Sequence, residues 1–212
     1  MISSGFAHMD NIRAYDTLLA SGNIPTETIM HNFTAIPFDW DEDGEWPGTA
    51  APYRDPDDEL VTRSSGVSWI QVRQDNMSQS MSSIYDGVSN TLLLSENINA
   101  GGAGSWSNPA PSNCTFLYPV DPDQVNSASY PDPPTPVGVD GTPNAMRFAG
   151  EGTPFPSSNH PGVVNVFMCD GSARNISENI DRTVYVQLLT PVGVKPKWPG
   201  LRLEDPISQA DF

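Results

Sequence analysis

The clearest pattern of apolar and polar positions lies around residue 170. Residues 163–169 (VVNVFMC) form a largely apolar run, and the dipeptide Asp170-Gly171 separates it from residues 172–177 (SARNIS). Asp-Gly between two such segments is typical of a β-hairpin, because both residues accept the positive φ angles of a tight primed turn. We therefore predict a hairpin over residues 163–177.

A short helix is predicted directly after this hairpin. Asp181 can act as its N-cap, since a carboxylate accepts hydrogen bonds from the free N–H groups of a first helical turn. Pro191 ends the helix, because proline cannot continue the hydrogen-bond ladder. The apolar face and the hydrophobic staple comprise Ile180, Val184, Tyr185, Leu188 and Leu189.

Further elements are predicted upstream. Residues 67–72 (VSWIQV) and 91–97 (TLLLSEN) have the composition of strands, and the turn signal Asp86-Gly87 precedes the second of them. Residues 9–20 predict an amphipathic helix, with an apolar stripe at Ile12, Tyr15 and Leu19. Strands that do not alternate with helices predict an α+β fold with an antiparallel β-sheet, and they argue against a Rossmann or barrel enzyme.

The chain is predicted to form one domain over residues 1–212, with long Pro- and Gly-rich loops and short helices. Residues 1–66 hold the first helix and an acidic loop region, and residues 67–107 supply sheet strands. Residues 108–161 contain 12 of the 21 prolines and are expected to form an ordered insertion without long regular elements. Residues 162–212 contain the hairpin, the C-terminal helix and a tail.

The net charge of the chain argues against one class of binding partner. The sequence has 26 acidic residues against 10 Lys and Arg, which gives a formal net charge of −16. This balance argues against nucleic acid as a partner, because phosphate recognition requires clustered basic residues. The sequence also lacks a run of about 18 apolar residues, the length expected of a membrane-spanning helix.

Part of this charge forms a candidate calcium site. Between residues 39 and 59 the chain carries nine acids and one base. Asp39, Asp41 and Asp43 stand at alternate positions before Gly44, as in the D-x-D-x-D-G core of a calcium loop, and Glu45 is a further candidate ligand. Position 12 of such a loop, normally a bidentate Glu, is Ala50 here. A solvated acidic loop that binds no ion is therefore the alternative.

The remaining candidate chemistry is sparse. The sequence contains no GxxxxGK[ST], HExxH, GxSxG, SxxK or CxxC motif. His160 and Asp170 bracket a predicted strand and would lie about 30 Å apart if the chain were extended, so turn roles are expected for both. Cys114 and Cys169 are the two cysteines, and the sequence is compatible with a disulfide or with two free thiols.

Two sequence blocks resemble a known family. His160, nine residues and then Asp170-Gly171 match a C-terminal His-x9-Asp-Gly signature, and residues 84–96 (IYDGVSNTLLLSE) match an internal I-x-D-G-x-S-N-T-L-L-x-x-E block. In these features residues 80–212 resemble a large family of prepilin-like proteins, a domain of unknown function abundant in planctomycete bacteria. The motif positions, for which we expect structural roles, are Asp86, Gly87, Asn90, Glu96, His160, Asp170 and Gly171.

The resemblance implies the globular head of a pilin or type II secretion pseudopilin. Such a head has an antiparallel sheet, and in the family an N-terminal apolar helix precedes it and anchors the precursor in the membrane. This sequence is expected to lack that helix, and membrane contact would depend on it. The resemblance also implies an extracytoplasmic location, at the cell surface or in the periplasm. Pseudopilin heads often hold calcium in a loop.

The function expected from the sequence is therefore structural. We expect a non-enzymatic subunit of a surface fibre or secretion apparatus, whose partners are other pilin-like subunits or secretion-apparatus proteins. One alternative is a calcium-dependent carbohydrate-binding or adhesion module, favoured by the Asp39–Glu45 motif and five tryptophans. A second alternative is a hydrolase that uses carboxylates such as Glu96 or Asp170.

Overall fold

The computed structural model describes residues 2–7, 64–68, 80–100, 115–119, 140–149 and 154–192 of the 212-residue chain. These ranges contain a 3-10 turn at Met81–Ser83. They also contain five strands and the α-helix that follows them: β1 (Ile2–Ala7), β2 (Leu92–Ser95), β3 (Thr115–Pro119), β4 (Val163–Met168), β5 (Ala173–Ser177) and α1 (Arg182–Leu189). Ser64 and Ser65 are also helical. The α+β class predicted from the sequence is consistent with this architecture.

The five strands form one sheet in the order β3-β1-β2-β4-β5. Three neighbouring pairs, β1–β2, β2–β4 and β4–β5, are antiparallel, as predicted. The β1–β3 pair is parallel, so the sheet departs from the predicted antiparallel arrangement at this edge. A parallel pair requires a long connection, and the whole chain from residue 8 to residue 114 separates these two strands.

β1 and β3 were not predicted. β3 lies inside residues 108–161, where no long regular element was expected, and it makes part of that insertion a strand of the sheet. In the segment 67–72, which was predicted to be a strand, Val67 and Ser68 belong to no strand, and residues 69–72 lie outside the described residues. The predicted helix over residues 9–20 also lies outside them.

The predicted hairpin is confirmed, but its turn differs from the prediction. The Gly171 N–H donates to the Met168 carbonyl at 2.9 Å, and the Met168 N–H donates to the Ser172 carbonyl at 2.9 Å. Gly171 has a φ of +83°, whereas Asp170 is not among the described residues with positive φ. The loop therefore has three residues, with glycine at the left-handed position, instead of a two-residue primed turn with two positive φ angles.

Replacing Gly171 with valine should lower the free energy of unfolding by about 1–2 kcal/mol, because a side chain with a Cβ is strained at positive φ. A Cβ added at Gly171 would meet nothing within 4 Å, so the cost should be conformational. Gly171→Asn is the matched control, since asparagine tolerates this conformation. Equal urea midpoints for the valine and asparagine variants would contradict the assigned turn. His160→Ala should cost less than Gly171→Val.

The C-terminal helix forms where it was predicted. Asp181 is the N-cap of α1, and its Oδ1 accepts hydrogen bonds from the Thr183 N–H at 2.8 Å and the Val184 N–H at 3.4 Å. The helix ends at Leu189, two residues before Pro191. Among the described residues, no helix is both long enough and apolar enough to cross a bilayer.

The core lies between α1 and one face of the sheet. Alternate residues of β4 are buried, which places Val164, Val166 and Met168 on the face that α1 covers. Tyr185 of α1 and Tyr118 of β3 are both fully buried, and their ring centroids lie 6.1 Å apart. The other members of this cluster are Leu92, Phe116, Ile176, Val186, Leu188 and Leu189, with Ile180 packed against it.

The Tyr185 hydroxyl oxygen is buried without a hydrogen-bond partner, and burial raises the pKa of this phenol well above its ordinary value. Tyr185→Phe should therefore raise the free energy of unfolding by about 1 kcal/mol, because it removes a buried polar group that nothing satisfies. Tyr185→Ala, which also removes the ring, should lower it by about 3–5 kcal/mol. Urea denaturation of both variants provides the measurement. Destabilisation by Tyr185→Phe would indicate a hydrogen bond to this hydroxyl.

Candidate functional site

The motif residues form two groups at opposite ends of the β2–β4 pair. Asp86, Gly87 and Asn90 lie beside the hairpin turn that contains Asp170 and Gly171, and we call this group the tip junction. The second group contains Glu96 and His160 and lies near the end of β2 and the start of β4. The candidate calcium ligands Asp39, Asp41, Asp43 and Glu45 lie outside the described residues.

Backbone hydrogen bonds hold the tip junction together. The Asp170 N–H donates to the Val88 carbonyl at 2.9 Å, and the Cys169 N–H donates to the Thr91 carbonyl at 2.8 Å. Gly87 has a φ of +97°, and its carbonyl accepts from the Asn90 N–H at 2.9 Å and from the Thr91 hydroxyl at 3.1 Å. A positive φ favours glycine, which accounts for its presence in this turn.

The same loop also contacts the end of α1. The N–H groups of Tyr85 and Asp86 donate to the Pro191 carbonyl at 2.8 and 3.2 Å. The amide of Asn90 adds a longer bond to the Asp86 carbonyl at 3.4 Å. Residues 85–91 therefore join the hairpin turn to the end of the helix, and the two blocks that carry the family resemblance meet in space.

Two ionisable groups at the tip have shifted pKa values. Burial raises the pKa of the Cys169 thiol to about 11, and the Asp170 carboxylate contributes in the same direction. Cys169 is a free, buried cysteine, whereas Cys114 lies outside the described residues. The pKa of Asp170 is lowered, mainly because Ser172 donates hydrogen bonds to its carboxylate, and one of these comes from the Ser172 N–H at 2.8 Å.

The lowered pKa of Asp170 predicts a pH dependence of stability. A carboxylate with a folded pKa below its unfolded value of about 3.9 stabilises the fold at higher pH, and that stabilisation is lost as pH falls through the folded pKa. Asp170→Asn keeps an acceptor oxygen but does not titrate. The difference in unfolding midpoint between wild type and this variant should therefore shrink below about pH 4. A constant difference from pH 7 to pH 2 would contradict the assignment.

The second group is a small polar network on the sheet face that α1 does not cover. Glu96 Oε1 accepts from the Asn165 side-chain amide at 2.8 Å, and Glu96 Oε2 accepts from the Asn165 N–H at 3.2 Å. The Asn175 amide donates to Asn165 Oδ1 at 2.9 Å and extends the network to β5. His160 Nε2 lies 3.4 Å from Glu96 Oε1. We call these four residues the Glu96 network.

A turn of the chain positions His160. Its N–H donates to the Ser158 hydroxyl oxygen at 3.0 Å, and this hydroxyl donates to the Val163 carbonyl at 2.6 Å. Gly162, with a φ of +73°, leads from this turn into β4. The turn brings the imidazole to Glu96, which is 64 positions earlier in the sequence. The side chains of His160 and Glu96 remain 56% and 35% exposed.

Two open clefts flank Glu96. One of about 520 Å³ lies over β2, β4 and β5, and its lining includes Phe167, Asn165 and Asn175. The other, of about 410 Å³, lies between Asn97 and His160. Both hold polar groups at the protein surface. In the part of the chain that the structure describes, no three His, Cys, Asp or Glu side chains are grouped as metal ligands.

The positions of Glu96 and Asp170 argue against a reaction in which both carboxylates act on one substrate. Glu96 is hydrogen-bonded to Asn165. Asn165 is separated from Asp170 by three strand residues, at about 3.3 Å each, and then by the turn. The two carboxylates named as candidate hydrolase residues therefore lie at opposite ends of β4 and do not converge. The Glu96–His160 contact was not predicted from the sequence. The contact could have been predicted by assuming that the two predicted strands, β2 and β4, pair antiparallel. The end of β2 then meets the start of β4, where Glu96 and His160 lie.

Comparison of the sequence with protein families identifies a family that it matches. A family described as "Protein of unknown function (DUF1559)" matches residues 32–183, well over half of the chain. The chain belongs to this family. The DUF1559 match includes β2 to β5, the tip junction and the Glu96 network. No curated protein and no solved structure matches the chain. The part of the resemblance that named a family of unknown function is thereby confirmed.

Proposed function

We propose that this chain is a non-enzymatic, extracytoplasmic interaction protein, the globular head of a pilin- or pseudopilin-like subunit of a surface fibre or secretion apparatus. The observation that carries the proposal is that the motif residues at the tip junction connect elements of the fold. At the tip junction they join a loop, a hairpin turn and a helix end through main-chain hydrogen bonds. These hydrogen bonds give the motif residues a structural role, which is to hold the fold together. A subunit of a fibre needs such a stable fold, because it acts by presenting its surface to partners.

Exposed apolar side chains support a role in protein contacts. Phe148 is 90% exposed and Phe167 is 46% exposed. The Arg147 guanidinium carbon lies 5.2 Å from the centroid of the Phe148 ring, a cation–π arrangement at the surface. Aromatic and arginine side chains are enriched at protein–protein interfaces, and exposed large apolar groups are common at binding surfaces.

The Glu96–His160 contact gives the hydrolase alternative one specific observation, since a carboxylate beside an imidazole can act in acid–base chemistry. The structural role predicts a different outcome from catalysis. Glu96→Gln and Asp170→Asn should both lower thermal stability, while wild-type protein should remain inactive on broad panels of glycoside and ester substrates. Turnover of any substrate that Glu96→Gln abolishes without unfolding the protein would favour the hydrolase.

The intact mass and N-terminal sequence of the native protein, purified from surface and periplasmic fractions of its source cells, test the pilin-like role directly. We expect a subunit with an N-methylated apolar helix ahead of the head, recovered with other pilin-like proteins. A protein that is found free in the cytoplasm, without that helix, would overturn the proposal.

A further inference from the structure

β5 forms an open edge of the described sheet. Among the described strands it pairs with β4 alone, and the hydrogen bonds Met168–Ser172 and Glu178–Gly162 fix the pattern of this pair. Because hydrogen-bonded pairs alternate along an antiparallel ladder, the main-chain groups of Arg174 and Ile176 point toward β4. Those of Ala173, Asn175 and Ser177 therefore point outward, and the Ser177 carbonyl also accepts from the Ile180 N–H at 3.2 Å. Among the described residues, the outward N–H and C=O groups of Ala173 and Asn175 have no hydrogen-bond partner.

An apolar groove runs beside this edge on the side of α1. It has a volume of about 590 Å³ and lies between β5 and the helix. Its apolar lining comprises Met168, Ile176, Ile180, Val184 and Leu188. A strand added next to β5 would satisfy the outward main-chain groups and would place its own apolar side chains over this groove.

We propose that the occupant of this edge is a second copy of the chain, related by a twofold axis that is perpendicular to the sheet and passes midway between the two Asn175 residues. An antiparallel β5–β5 pair centred there sets Asn175 opposite Asn175 and Ala173 opposite Ser177. Every residue with outward main-chain groups then meets another such residue, so the edge is complementary to itself. The two helices would lie on the same side of a continuous sheet and bury their grooves against each other.

The distribution of charge favours a second copy at this edge. The chain as a whole carries −16, so two copies repel each other. Residues 154–192 carry three acids (Asp170, Glu178, Asp181) and two bases (Arg174, Arg182), a net charge of −1, and β5 itself contains no acid. Two copies can therefore approach at this edge with little repulsion. The proposed function assigns no role to this edge, so dimerisation through β5 does not depend on that function.

Sedimentation velocity of the full chain over a range of concentrations and salt tests the proposal. We expect a monomer–dimer equilibrium that tightens with salt, because salt screens the remaining repulsion. Asn175→Pro removes the central outward N–H and should weaken dimerisation at least about tenfold, since proline at an edge cannot donate to an added strand. Asn175→Ala is the matched control: it removes the same side chain but keeps the N–H, and it should still dimerise.

Cysteine cross-linking tests the register separately, in case Asn175→Pro fails to fold. In a chain carrying Cys114→Ser, Asn175→Cys should form a disulfide between two copies, because Cα atoms in a hydrogen-bonded antiparallel pair lie about 5.5 Å apart. Ser177→Cys should not, since Ser177 faces Ala173 of the second copy. A monomer at all concentrations, equal dimerisation of the proline and alanine variants, or equal cross-linking at positions 175 and 177 would overturn the proposal.

Discussion

Truncating Leu92 to alanine is expected to lower the free energy of unfolding by about 2–5 kcal/mol, the range for buried leucines in packed cores. Leu92 is fully buried, lies opposite Met168 in the sheet and belongs to the cluster that α1 covers. The loss combines the transfer free energy of the removed atoms with the cavity that they leave. It should appear in a urea melt as a lower midpoint with an unchanged slope.

Leu94 provides the matched control for this prediction. It lies in the same strand, two residues away, but the register of the β2–β4 pair shifts between Leu92 and Leu94. Leu94 therefore pairs with the half-exposed Phe167 and lines the open cleft beside Glu96. Leu94→Ala should therefore cost about 1 kcal/mol or less, because little buried surface is lost. Equal destabilisation by the two substitutions would mean that both faces of β2 are buried, and it would contradict the described layering.

Glu96→Gln is expected to lower the free energy of unfolding by about 1–3 kcal/mol, the cost of leaving a donor unsatisfied. The two carboxylate oxygens of Glu96 accept from the main chain and the side chain of Asn165. Glutamine has one acceptor oxygen, so its amide nitrogen would face one of these two donors. The substitution removes a link between β2 and β4 without changing the size of the side chain.

His160→Gln separates the Glu96–His160 contact from the rest of the Glu96 network. The His160 side chain is more than half exposed, and an exposed contact of this kind contributes about 0–1 kcal/mol even between two charged groups. A double-mutant cycle between the two positions should therefore give a small coupling free energy, with most of the loss assigned to the Glu96–Asn165 bonds. If His160→Gln destabilised the protein as strongly as Glu96→Gln, the imidazole contact would be the main one.

Local sequence signals were sufficient for the C-terminal part of the fold. The Asp-Gly dipeptide indicated the hairpin, and the Asp181 cap together with Pro191 set the limits of α1. These features act over a few residues, so their physical causes are visible in the sequence. The turn geometry was predicted less well, because a two-residue and a three-residue loop around Asp-Gly differ by hydrogen bonds that the sequence does not encode locally.

The remaining strands and the Glu96 network depend on contacts between distant residues. β1 (ISSGFA) has little of the apolar alternation that predicts a strand, and β3 lies among prolines. Their pairing decides that they are strands. Likewise Glu96 and His160 each lie at the end of a predictable element, but only the pairing of β2 with β4 brings them together.

The position of β1 in the sheet has a consequence for the order in which the protein folds. β1 precedes both of its neighbours in the sequence, yet it lies between β3 and β2, and Ile2 pairs with both Leu94 and Thr115. The hairpin and helix close over a short stretch of chain, whereas both partners of β1 are synthesised much later. β1 must therefore stay unpaired with β2 until residues 92–95 have been made, and contacts so distant in sequence form slowly. Until β2 has been made, the unpaired main-chain groups of β1 are open to pairing with other chains.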